Sequence, residues 1–88
     1  MANTVRLHAR DNVVVAREQL DPGTSVEGEG IAVRAPVPRG HKVATAAIGV
    51  GEPVRKYDQI IGFASQPIAP GDHVHVHNCS MGAFERDY

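Results

Sequence analysis

The apolar positions of this chain fall in short runs, none of them long enough for a helix. Val13–Ala16, Ile31–Ala35, Lys42–Ala44, Val54–Lys56, Ile60–Ala64 and His73–His77 are each bounded by turn-forming stretches. These are D-P-G at 21–23, G-E-G at 28–30, P-R-G at 38–40, G-V-G-E-P at 49–53 and A-P-G-D at 69–72. Proline presets φ and glycine accepts φ > 0, so Pro followed by Gly suits the centre of a type II turn. Val/Ile-rich runs punctuated in this way predict an all-β domain. No segment keeps a helical period for ten residues. Short single-turn helices near 17–20, 45–48 and 65–68 are the only helical structure expected.

Three segments align without a gap: V-A-R-E-Q-L-D-P-G-T-S-V (15–26), V-A-T-A-A-I-G-V-G-E-P-V (43–54) and F-A-S-Q-P-I-A-P-G-D-H-V (63–74). The shared pattern is apolar–Ala–x–x–x–Leu/Ile–x–x–Gly–x–x–Val. Each copy reads as a strand end, a tight turn and a new strand. Leu20, Ile48 and Ile68 are expected to plug the core, and Gly23, Gly51 and Gly71 to take φ > 0, where a Cβ is penalised. This internal repeat describes a fold and carries no chemistry of its own.

The chemistry is concentrated near the end, in G-D-H-V-H-V-H-N-C-S-M-G (71–82), which holds three of the five histidines. On a strand, alternate side chains share a face. His73, His75 and His77 would then line one surface, with Val74 and Val76 in the core. Imidazoles at i and i+2 lie roughly 6.5–7 Å apart at Cα and can converge on one metal ion. They can equally line a polar pocket or remain solvated. A second group, Arg39-Gly40-His41-Lys42, sets a titratable base beside a cation at a strand start, where a carboxylate ligand would be held by charge-assisted bonds. An ordinary turn histidine and a lysine snorkelling off the strand edge fit the same residues. His8 with Asp11-Asn12 is a weaker candidate and reads first as a turn leading into Val13. Glu18, Glu27, Glu29 and Glu52 read as solvated turn charges.

Composition narrows the function classes. Eighty-eight residues make one small domain. Nine basic and ten acidic residues, scattered along the chain, form no basic stripe for nucleic acid. Two Phe, two Tyr and no Trp leave no platform on which bases could stack. The first residues have no apolar signal-peptide core, and no run approaches the ~18 apolar residues of a membrane span. Cys79, the one cysteine, cannot form an internal disulfide and fits a reducing compartment. A cytoplasmic protein without nucleic-acid or membrane partners is expected.

The repeat pattern is similar to that of SAF domains, which adopt the β-clip fold. Further stretches resemble the N-terminal domain of the altronate and galactarate dehydratases: H-A-R-D-N-V-V-V-A (8–16), V-P-R-G-H-K-V-A (37–44), K-Y-D-Q-I-I-G-F-A (56–64) and H-V-H-N (75–78). G-H-K and H-V-H-N in this order make the resemblance specific, and it covers nearly the whole chain. One departure is Asp58, where the family has glycine after Lys-Tyr. Asp tolerates the left-handed region better than most residues, so a retained, somewhat strained turn is expected.

The resemblance implies a SAF domain over 1–79 and, over 80–88, the start of a linker toward a larger catalytic domain or a tail. It implies a hydro-lyase acting on altronate, galactarate or a related sugar acid, dependent on iron or manganese. Such an enzyme takes the proton next to a carboxylate and expels a β-hydroxyl. By the resemblance His41 and Lys42 bind substrate and His75 and His77 bind the metal, while no catalytic base is assigned. The sphere would be completed by a larger domain or subunit or by the substrate, so the isolated chain should be inactive. A homo-oligomer is compatible with this reading. Two alternatives stand beside it: a non-catalytic SAF carbohydrate-binding or assembly module, and the small subunit of a related sulfo-lyase.

Overall fold

A single bend–bridge–turn unit, used four times, organises the molecule. The computed structural model describes residues 2–81. Nine strands form: β1 (Thr4–Val5), β2 (Val13–Ala16), β3 (Ser25–Val26), β4 (Ile31–Ala32), β5 (Lys42–Ala44), β6 (Pro53–Lys56), β7 (Gln59–Ala64), β8 (His73–Val74) and β9 (Cys79–Ser80). They make a four-stranded sheet in the order β1-β2-β5-β8, a three-stranded sheet β6-β7-β9 and the pair β3-β4. Among the described residues these strands pair antiparallel.

The three expected repeats are present, and a fourth lies between the first two, at 32–43. Its sequence hides it, because Val33 and Val37 stand where the other copies carry Ala and Leu or Ile. The bonding nonetheless matches. Leu20 and Val37 exchange both backbone hydrogen bonds at 2.9 Å, as do Ile48 and Ile68. In each copy the turn glycine donates to the sister copy: Gly23 to Val33, Gly40 to Ala16, Gly51 to Ala64 and Gly71 to Ala44. All four glycines have φ between 83° and 91°. At Gly71 a Cβ would also collide with the Ala32 carbonyl oxygen.

The expected helical turns do not form among the described residues. Residues 17–18, 45–46 and 65–66 are bends. The backbone groups of Leu20, Ile48 and Ile68 go to the inter-repeat bridges, and so are not available for a helical i→i−4 bond. The core divides along the same lines. Val14, Ala16, Leu20, Val26, Val33, Val37 and Val43 form one buried cluster. Val13, Ala44, Ile48, Val54, Ala64, Ile68 and Val74 form the other. The consecutive valines Val13 and Val14 on β2 point to opposite faces and enter different clusters, which ties the two halves together.

The β6–β7 hairpin turns through Tyr57 (φ 59°) and Asp58 (φ 57°), so two successive non-glycine residues take the left-handed region of a type I′ turn. The strained turn expected at Asp58 is there. One further expectation is corrected. Glu29 is paired rather than solvated, its carboxylate taking Arg6 Nη2 at 2.7 Å and Nε at 3.0 Å. Glu52 is exposed at its turn, as expected, and its Oε1 accepts the Gly49 N–H. Among the described residues no helix is long and apolar enough to cross a membrane. Of the segment expected to start a linker, Ser80 belongs to β9, and residues 82–88 lie outside the described residues.

Candidate metal centre

The histidine-rich segment is a strand for two residues only. After Val74 the chain enters a turn, because Asn78 captures it. Asn78 Oδ1 accepts the His75 N–H at 3.0 Å, and its Nδ2 donates to the His73 carbonyl at 2.9 Å. The Asn78 and Cys79 N–H groups both return to the His75 carbonyl, at 3.1 and 2.8 Å. Buried Asn78 thereby satisfies its amide within the turn it builds. The expectation that Val76 is buried is therefore overturned. Val74 is fully buried, whereas Val76 is 80 % exposed at the tip of the turn.

The turn still gathers the histidines. β5 pairs with β8 so that Val43 faces His73 and Lys42 faces Val74. This register brings His41, just before β5, against the turn. His41 Nδ1 lies 2.8 Å from His73 Nε2. The His41 ring stacks on His75 with centroids 4.2 Å apart and on His73 at 5.1 Å. One nitrogen from each of His41, His73 and His75 falls within 4.8 Å of the others, the spacing of a potential metal site. His77 lies outside this trio, its ring tilted against the far side of His73 at 5.2 Å.

The electrostatics favour unprotonated rings. His73 is pushed down to about 4 from an ordinary 6.5, first by loss of solvent and then by the charges of His41, His77, His75 and Lys42. His75 is lowered as well, by desolvation and then by His41, Lys42 and His77. Neutral imidazole is the form that ligates a metal ion. A 2.8 Å nitrogen–nitrogen contact needs one N–H and one lone pair, so His41 and His73 cannot both be charged. Three imidazoles with open positions suit iron or zinc, whereas manganese prefers oxygen donors.

Lys42 points to the strand face opposite Val43 and His73. Desolvation and then the Lys56 charge lower its pKa, and among the described residues no carboxylate pairs with it. Among those residues it is a half-buried cation without a counterion. Burial pushes the nearby Cys79 thiol up, leaving it protonated and unreactive.

A sequence model described as the altronate/galactarate dehydratase SAF domain matches residues 2–82. The chain belongs to that family. This SAF domain is 46% identical over 85 residues to an altronate dehydratase of Escherichia coli, and 36% identical over 80 residues to one of Bacillus subtilis. Those alignments cover 94% and 89% of the domain but only 17% and 16% of the two relatives. The domain is also 43% identical over 49 residues to the alpha subunit of a (2R)-sulfolactate sulfo-lyase of Paracoccus pantotrophus, covering 56% of the domain and 73% of that subunit.

Of the residues singled out in the sequence, His41 and His75 meet in the trio, Lys42 stands on the other strand face and His77 borders His73 from outside. His73 completes the trio through a contact from β5, which alternation along a single strand does not reveal. Asp11 and Asn12 are structural. The Asp11 carboxylate accepts the N–H groups of Tyr57 at 2.9 Å and Asp58 at 2.7 Å. The Asn12 side chain bonds Pro53 O at 3.0 Å and Arg55 N at 2.8 Å.

Proposed function

We propose that this domain supplies the metal-binding and carboxylate-binding part of a composite active site in a sugar-acid dehydratase of the altronate type. The observation that carries the proposal is the convergence of His41, His73 and His75, with protons disfavoured on His73 and His75, one residue from Lys42, a cation that lacks a counterion among the described residues. His41, His73 and His75 hold a divalent ion, for which imidazole nitrogen favours iron over manganese. When bound, the ion supplies a Lewis acid for a departing hydroxyl. Lys42 takes the substrate carboxylate by a charge-assisted bond. Asn78 fixes the turn that orients His73 and His75. The base that removes the proton next to the carboxylate belongs to a larger domain or subunit, which also shields the site from water.

The sulfo-lyase small-subunit reading has support of its own, since the match covers most of that subunit's length. Both reactions eliminate a leaving group β to the carboxylate of a 2-hydroxy acid, so the same binding groups serve either one. The non-catalytic module has no comparable support, because assembly does not require imidazoles free of protons.

The test is a domain exchange in which residues 2–81 replace the matching segment of the E. coli altronate dehydratase. The hybrid should form a 2-keto-3-deoxy acid from altronate. His73→Ala should reduce its turnover by at least about 100-fold, as removal of a metal ligand's support does. The isolated chain should give no turnover with iron, manganese or magnesium. A hybrid that keeps full activity as His73→Ala would refute the composite site.

A further inference from the structure

Beside His73, and not lined by His41 or His75, the structure has a cavity of about 250 Å³. The metal reading makes no use of it. This is less than the ~300–1,000 Å³ that hold a whole small-molecule ligand, so it suits part of one. Its wall has two characters. Ala35 and Pro67 give small apolar surfaces. Gln66, Asp72 and His77 give polar ones, and His73 is shared between the cavity wall and the imidazole trio.

The polar groups are held in place and keep free capacity. Gln66 Nε2 donates to the His77 carbonyl at 2.7 Å, which fixes the amide and leaves its oxygen and second N–H in the wall. Asp72 Oδ2 accepts the Ala69 N–H at 2.7 Å, and Oδ1 lies 3.5 Å from Arg34 Nη1. A carboxylate has about four acceptor sites, so Asp72 retains room for a hydroxyl. His77 can donate or accept through its ring. Asn78 is different, because both ends of its amide are already engaged by the turn.

We propose that this cavity is a subsite for the hydroxylated tail of the acid, in which Gln66, Asp72 and His77 read hydroxyl groups while Ala35 and Pro67 pack against carbon. The inference rests on the reading that the acid's carboxylate end binds near the trio and Lys42. A chain of secondary alcohols alternates C–H and O–H, and it matches a wall that is part apolar and part hydrogen-bonding. A three-carbon acid anchored by its carboxylate end offers the cavity fewer hydroxyls than a six-carbon acid does. The cavity therefore makes this domain selective for long hydroxy acids, and assigns Gln66 and His77 as specificity residues.

The experiment compares altronate with glycerate, a three-carbon 2-hydroxy acid, by calorimetry and by NMR shifts of Ala35 and Gln66 in the 88-residue chain. Each titration is run with and without Zn²⁺, because the cavity lies wholly within this chain. Altronate should bind about tenfold more tightly, the worth of one or two good hydrogen bonds. Gln66→Ala and His77→Ala, both at exposed positions, should bring that ratio close to one without changing Zn²⁺ affinity. Equal binding of the two acids, no altronate binding, or a ratio that survives both substitutions would overturn the subsite. Failure of the chain to bind Zn²⁺ would instead defeat the metal reading, with the altronate-to-glycerate ratio still deciding the cavity.

Discussion

Two polar clusters sit on this small β framework, one around Asp11 and one around His73. Asp11 is 5 % exposed, and its two carboxylate oxygens are taken by the Tyr57 and Asp58 N–H groups. Those groups belong to the two left-handed residues of the β6–β7 turn. The cluster is complete within itself: a strained turn is held by the carboxylate that its amides need. The imidazole cluster is the reverse. Its members contact one another, their charges repel, and His73 loses its proton well below the usual histidine range. Hydrogen bonds satisfied within the fold mark a structural device. Like groups crowded without a counter-group mark a site that gains from a ligand. The same distinction moves Asp11 and Asn12 out of the functional set and brings His73 in.

If that contrast holds, the largest stability loss should come from the Asp11 side. Asp11→Ala leaves two amide N–H groups of a strained turn without their charged acceptor, and should cost about 3 kcal/mol in urea denaturation. Combining it with Asp58→Gly should recover about 1 kcal/mol, because glycine removes the left-handed penalty. A loss no larger than that of a surface substitution would remove the structural role from Asp11.

Val74 and Val76 make the next test, within the histidine turn. Val74→Ala opens a cavity in the second core cluster and should cost about 2 kcal/mol.

The third effect is smaller and depends on pH. The folded-state pKa of His73, about 4, lies below its ordinary 6.5. Between these values the unfolded chain binds a proton that the native chain does not. Stability should therefore fall as pH is lowered from about 6.5 to about 4, and be fully present above that window. Solvent screening at this partly open site limits the contribution to on the order of 1 kcal/mol. His73→Gln should flatten the slope. An unchanged slope would place the acid sensitivity elsewhere.

The smallest effect is expected at Val76→Ala, within about 0.5 kcal/mol, since its side chain meets solvent. Equal losses at Val74 and Val76 would restore a continuous strand through His77.

These contrasts also mark where the sequence was legible. The turn-bounded apolar runs at 13–16 and 42–44 and the repeat glycines stated the β framework directly, because local pattern and tertiary pairing agree there. The fourth repeat was hidden by Val33 and Val37, whose bonds to Gly23, Thr24 and Leu20 need the tertiary pairing to be seen. Alternation through 73–77 placed His73, His75 and His77 on one strand face, an arrangement that the turn after Val74 does not keep. The Asn78 side-chain bonds to His73 and His75 turn the chain and expose Val76. Gathering His41 into the site depends on the β5–β8 register, a contact across 32 residues that no local spacing encodes. Asp11 was legible as a turn residue, though the turn it serves is 46 residues away.

The central claim is that the trio awaits a metal ion and the Asp11 cluster does not. Calorimetric titration of Zn²⁺, a redox-inert probe, into the folded chain at neutral pH tests it most directly. One ion per chain should bind, more weakly as the pH is lowered below about 6 and protons compete for the imidazoles. His73→Ala should abolish that binding and leave the unfolding midpoint near its original value, while Asp11→Asn should lower the midpoint and leave Zn²⁺ affinity per folded molecule intact. Undiminished Zn²⁺ binding by His73→Ala would contradict the account.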